Sequence, residues 1–130
     1  MKNIILKFTI YLYYLSLVAL LILYLFPGSI IGYLLYRDLG IQPNLIKNPI
    51  GTSINHFLFF FFLTFLGLTF NLYKKKFINS NFFLLTISIF LELLHFVIPN
   101  RAFELNDVIA NSAGVVFIYF LFTLKKKFIK

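Results

Sequence analysis

Four stretches of this chain run for nearly twenty residues with almost no charge, and that pattern fixes the solvent before it fixes the fold. Residues 8–26 give 19 uncharged positions, and residues 54–73 give 20, interrupted only by His56. Residues 82–98 give 17 and carry Glu92 and His95, while residues 108–124 give 17 with no charge. A bilayer core of about 30 Å is crossed by roughly 20 helical residues, with about 17–25 observed. Lipid offers no partners to open strand edges, so helices are the expected form. The spacing therefore predicts an all-α, integral membrane four-helix bundle in one domain, with spans at about 8–26, 54–73, 82–98 and 108–124. The last two are short, and flanking Tyr, Phe and Lys side chains extend them by snorkelling.

Composition supports the same solvent. The chain is 130 residues long, 61% hydrophobic and only 12% charged. A soluble domain is roughly 45–50% apolar and about 25% charged, and one of this size cannot hide the surplus. A soluble enzyme, a nucleic-acid binder and a disordered chain are excluded on that ground. Without cysteine there is no disulfide, thiolate metal site or catalytic thiol. The net charge of +8 lies mostly in short clusters at the ends of apolar runs. Lys2, Lys7, Lys74, Lys75, Lys76, Lys125, Lys126, Lys127 and Lys130 fall on one side of a four-span chain, nine in all. Arg37, Lys47 and Arg101 fall on the other, three in all. The positive-inside rule then places both termini in the cytoplasm. Lys74–Lys76 and Lys125–Lys127 read first as topology determinants, and second as contacts for anionic lipid.

The first run resembles a signal peptide, with Lys2 and Lys7 ahead of it. Its apolar core is too long for the usual signal and no A-x-A site follows, so it reads as an uncleaved anchor. Pro27-Gly28 stops it. In the long connection that follows, Ile30, Ile31, Leu34, Leu35 and Leu39 recur at roughly helical spacing. A short helix in the interface, a lid over the outer mouth and a plain amphipathic connector all fit. Pro43, Pro49 and Gly51 mark an irregular approach to the second span.

The polar residues within or beside the spans fall at one depth. His56 opens the second span. Glu92 lies seven residues before Pro99, about 10 Å in from the helix end, and Asn111 lies about 6 Å beyond Asp107. His56, Glu92, His95, Arg101, Asp107 and Asn111 can therefore share a layer in the outer third. Glu92, His95 and Pro99 follow helical spacing along one face, as do Asp107, Asn111 and Gly114. Ala110, Ala113 and Gly114 admit a close neighbouring backbone. A carboxylate in the membrane costs about 2.5–3.5 kcal/mol on insertion scales, so Glu92 requires a partner. Arg101 is the expected one, with His56 and His95 as the others.

The run Glu92-Leu93-Leu94-His95-Phe96-Val97-Ile98-Pro99-Asn100-Arg101, followed by Asp107-Val108-Ile109-Ala110-Asn111 and Gly114, resembles the signature of the VanZ-like family. That signature has a Glu, a Gln three residues later, a Pro-Gly-Arg-like turn, then Asp, Asn and Gly opening the last helix. His56-Phe57 matches the family's His followed by an aromatic residue at an earlier span. His95 stands where the family usually has Gln, Asn100 where it has Gly, and Thr52-Ser53 where an Asp-Lys pair often precedes the His. The resemblance covers about residues 53–119 and implies a membrane protein of the cell envelope. The family takes its name from a member associated with resistance to the glycopeptide teicoplanin.

Several functional readings follow. The layer can be a structural network that sets helix register, costly if half satisfied, with Asp107 or Asn106 capping the last helix. It can instead be an outward-facing pocket for the headgroup of a membrane lipid or a lipid-linked cell-wall precursor. Arg101 and the N-terminal end of the last helix would then hold a phosphate or carboxylate. Headgroup hydrolysis or transfer is a further class, but Ser53 and Ser112 show no triad spacing. Proton-coupled transport is disfavoured because the first span holds no acid. The His and carboxylate spacing matches no H-E-x-x-H motif, so neither metal nor cofactor is expected. The chain carries no sign of its oligomeric state.

Overall fold

A computed structural model of the chain describes residues 2–44, 46 and 51–128. Among these residues the structure is all-helical, without strands. Helix α1 spans Lys2–Leu25, α2 Ile30–Tyr36, α3 Ser53–Tyr73, α4 Asn81–Leu93 and α5 Leu105–Phe128. Three of them are long and apolar enough to cross a membrane, over Ile4–Leu25, Ser53–Leu72 and Leu105–Lys125. Their apolar side chains do not all turn inward. Phe8, Tyr11, Leu15, Val18 and Ile22 stand exposed along α1, and Ile109, Val116 and Phe120 along α5. Water would not tolerate so much contiguous apolar surface on a monomer, and lipid does.

The third predicted span is shorter than expected. Its α-helix ends at Leu93, and a 3₁₀ turn over Leu94–Phe96 follows. The Leu94 N–H is shared between the Glu92 and Phe90 carbonyls, so the ladder tightens there. Pro99 has no N–H to continue it. The apolar segment Asn81–Phe96 falls below the length of the other three. By contrast, α1 and α5 outrun the stretches predicted for them.

Helix α3 is the hub, packed against both α1 and α5, while α4 packs mainly on α5. α3 and α5 start at the same end, where Ser53 meets Asp107. Their closest approach is at Gly114, where an added Cβ would stand 2.6 Å from the Phe57 carbonyl oxygen. The small residue expected to admit a neighbour does so, whereas Ala113 faces outward. The core is built from one stripe of α1, comprising Tyr13, Leu17, Leu20 and Tyr24. Against it lie Phe60, Leu63 and Phe70 of α3, Leu84 and Leu91 of α4, and Val115 of α5. The Tyr13 hydroxyl donates to the Ile78 carbonyl just beyond α3. The Lys74–Lys76 cluster follows α3 and Lys125–Lys127 close α5, at the end opposite His56.

The helical spacing noted after the first span is realised as α2. Ser29 caps it by accepting from the Gly32 N–H at 2.9 Å. A Cβ on Gly32 would collide with the Ile41 carbonyl, so the returning segment of this connection lies directly on the helix. Asn55 then ties the connection to α3 by donating to the Pro43 carbonyl at 2.9 Å. Lys47, Pro49 and Lys130, used above for charge counting and for the approach to the second span, lie outside the described residues.

Candidate functional site

Four helix ends converge on one layer: the last turn of α1, the first turns of α3 and α5, and the end of α4. His56, Glu92, His95, Asp107 and Asn111 are all buried there, with Glu92 and Asn111 at 0% exposure. The helical spacing that put Glu92 and His95 on one face holds through the 3₁₀ turn. Pro99, expected on the same face, is exposed.

Glu92 does not pair with Arg101. Its Oε1 meets His95 Nδ1 at 3.0 Å and accepts the Glu104 backbone N–H at 3.3 Å. Its Oε2 lies 3.9 Å from His56 Nδ1 and has no hydrogen-bond partner among the described residues. Arg101 instead caps α1. Its Nε donates to the Phe26 carbonyl at 3.2 Å and its Nη2 to the Leu23 carbonyl. The last carbonyls of a helix lack internal partners, and a guanidinium answers both their hydrogen-bonding need and the negative end of the dipole. Burial lowers the Arg101 pKa from its ordinary value, while nearby Tyr24 and Glu92 act the other way. The turn that delivers Arg101 places Asn100 at φ 57. That left-handed region suits Gly and tolerates Asn.

Asp107 is not a cap. It sits inside the first turn of α5, and its Oδ1 accepts the Ser53 hydroxyl at 2.5 Å. Its Oδ2 lies 3.4 Å from His56 Nε2. Asn106, likewise, falls within α5 and not at a cap position. Because the Ser53 proton is directed to Asp107, Ser53 is not arranged as a nucleophile activated by histidine.

Two members of the layer, Tyr24 and Gln42, escaped sequence reasoning. Tyr24 donates to Asn111 Oδ1 at 2.8 Å, lies 2.6 Å from His56 Nδ1 and stacks on His95 at 5.3 Å. Gln42 reaches His56 Nε2 at 3.2 Å from the first connection. Tyr24 was findable, since it continues the Tyr13, Leu17, Leu20 stripe at helical spacing.

Beside the layer is a cavity of about 290 Å³, its wall including His56, His95, Arg101, Glu104 and Asp107. A smaller one of about 110 Å³ lies under Ile30, Ile31 and Gln42. Both cavities reach His56, His95 and Arg101; the larger is the more polar and adds Glu104 and Asp107.

An all-helical chain with three membrane-length helices and an ionisable layer at one end of them is a membrane protein. More particularly, this chain belongs to the VanZ/LLP1 family, whose model matches residues 8–126. No curated protein and no solved structure matches it.

Proposed function

We propose that this VanZ/LLP1 protein binds an anionic headgroup, of a membrane lipid or of a lipid-linked cell-wall precursor, in the cavity beside Arg101. The supporting observation is the juxtaposition of that cavity with a guanidinium of which only part is used. Arg101 commits two N–H groups to the end of α1, and a guanidinium has five. The rest suit the planar, bidentate recognition of phosphate or carboxylate. The wider setting of this reading is a four-helix bundle of four spans in the bacterial inner membrane. Both termini are cytoplasmic and the cavity faces outward. The short α4 reaches the surface through its 3₁₀ turn and flanking residues. A role in glycopeptide resistance belongs to the same reading, through handling of cell-wall precursors.

The test is lipid retained by the purified protein. Native mass spectrometry should show a bound anionic lipid on the wild type and at least a tenfold loss on Arg101→Gln, with unchanged helicity. Vesicles of phosphatidylglycerol and micelles carrying a polyprenyl phosphate separate the two headgroup sources. Equal retention by Arg101→Gln would sink the proposal. A reporter fused after Lys130 that works only outside the cytoplasm should stay silent, and deleting the gene should change teicoplanin susceptibility.

A second reading is structural. Asn111 is satisfied at both ends, accepting from Tyr24 and donating to the Ser88 carbonyl at 3.1 Å. This is how a residue that fixes helix register behaves. Under that reading Arg101→Gln and Asp107→Asn melt early and lipid retention follows the folded fraction.

A further inference from the structure

The hydrogen-bond polarity of the layer can be traced from one backbone carbonyl. The Ser88 oxygen only accepts, so Asn111 presents its NH₂ there and its Oδ1 toward Tyr24. Tyr24 spends its proton on Asn111 Oδ1, so its oxygen accepts from His56, and the His56 proton sits on Nδ1. His56 Nε2 is left with a lone pair. The Gln42 amide approaches it at 3.2 Å, and Asp107 Oδ2 faces it at 3.4 Å. Two acceptors held face to face in a buried site repel unless a cation stands between them.

The same division recurs in the carboxylates. Asp107 Oδ1 is held by Ser53 while Oδ2 turns to His56. Glu92 Oε1 is held by His95 and the Glu104 N–H, while Oε2 is fully buried and has no hydrogen-bond partner among the described residues. In both carboxylates one oxygen is fixed by a neighbour and the other turns toward His56, Glu92 Oε2 lying 3.9 Å from its Nδ1 and Asp107 Oδ2 3.4 Å from its Nε2, where the Gln42 amide also donates. One ligand atom from each of His56, Glu92 and Asp107 lies within 4.8 Å of the others. Ligands about 2.1 Å from one tetrahedral ion stand about 3.4 Å apart, so closing this set requires only small side-chain rotations.

We propose that His56, Glu92 and Asp107 form a binding site for one divalent transition-metal cation, of the Zn²⁺ or Mn²⁺ type. One imidazole nitrogen and two carboxylate oxygens suit these ions better than Cu⁺, which favours sulfur, or Mg²⁺, which favours oxygen alone. Tyr24, Ser53, His95 and the Glu104 N–H are the outer partners that orient the ligands. The fourth position opens toward the cavity beside Arg101. Linear motif spacing could not show the set, because its members come from α3, α4 and α5. The site does not depend on the headgroup reading: a metal can bind whether or not lipid is retained.

The experiment is metal binding by the full-length protein in detergent after chelation. Zn²⁺, Mn²⁺ and Mg²⁺ are titrated separately by calorimetry, and Co²⁺ serves as a visible-absorption probe of the Zn²⁺ site. The expected result is one ion per chain for Zn²⁺ or Mn²⁺ and much weaker binding of Mg²⁺. His56→Gln and Asp107→Asn should weaken binding at least 100-fold, and Tyr24→Phe about tenfold. Asp38→Asn, which removes an exposed acid, should leave it unchanged. Circular dichroism identifies any variant that fails to fold. The wild type alone then decides, through a metal-dependent rise in melting temperature and four-coordinate Co²⁺ bands. No stoichiometric ion on the wild type, or wild-type affinity in the folded His56→Gln and Asp107→Asn proteins, overturns the proposal. The first of those results leaves a proton on His56 Nε2, paired with Asp107, as the cation between the two groups.

Discussion

Tyr13 and Tyr24 lie on one buried stripe of α1, yet they serve different ends of the molecule. Tyr13 is enclosed among Phe70, Gly67 and Leu84 and gives its proton to a backbone carbonyl. Tyr24 lies among two histidines, an asparagine and two carboxylates. The first end is held mainly by fit, with the polar side chains of Tyr13 and Asn79 spent on nearby backbone. Lipid is as apolar as a leucine side chain, so burial there gains little beyond packing. The second end is held by hydrogen bonds that hydrocarbon makes obligatory. One region can lose an atom and relax. The other, losing one, leaves a charged or polar group without its counterpart.

The sharpest way to break this contrast is Glu92→Ala against Phe70→Ala. Removing Glu92 strands the His95 imidazole and should cost about 3–5 kcal/mol, read as thermal unfolding in detergent. Phe70→Ala opens a void beside Tyr13 in the apolar half and should cost about 3 kcal/mol, yet leave headgroup retention intact in the folded fraction. Equal loss of retention in both would erase the distinction. Gly114→Val, which forces α3 and α5 apart, should cost about 2 kcal/mol by the same melt. Tyr24→Phe, which leaves both His56 and Asn111 short of a partner, should cost about 2 kcal/mol, and Tyr13→Phe about 1 kcal/mol. Only Tyr24→Phe should also weaken metal binding. Smallest of all, Lys125→Gln with Lys127→Gln should shift stability by less than about 0.5 kcal/mol. The reporter after Lys130 should then lose some of its orientation bias.

The sequence made the polar layer legible because His56, Glu92 and Asn111 stand out in runs where nearly every neighbour is apolar. Lipid permits few answers to a carboxylate, so placing Glu92 inward was forced. Its partner was another matter. Arg101 is the obvious counter-charge, but it is drawn to the free carbonyls of α1, which leave no mark in a sequence. Tyr24 passed as one more aromatic at a span end, and Gln42 belongs to a connection whose path only the folded chain reveals. The early close of α4 likewise depends on a carbonyl shared within one turn. The length of an apolar run bounds a helix without fixing where it stops.

The relay through His56, Tyr24 and Asn111 ends at the Ser88 carbonyl, and a carbonyl has no hydrogen to hand on. Past it the bundle interior is mostly Leu84, Leu63, Phe60 and Tyr13. A proton arriving from the cavity side therefore finds a blind alley instead of a conducting wire. Ion flux through the middle of this protein would require the helices to part. A sealed vesicle carrying it should hold an imposed pH gradient as long as an empty one does.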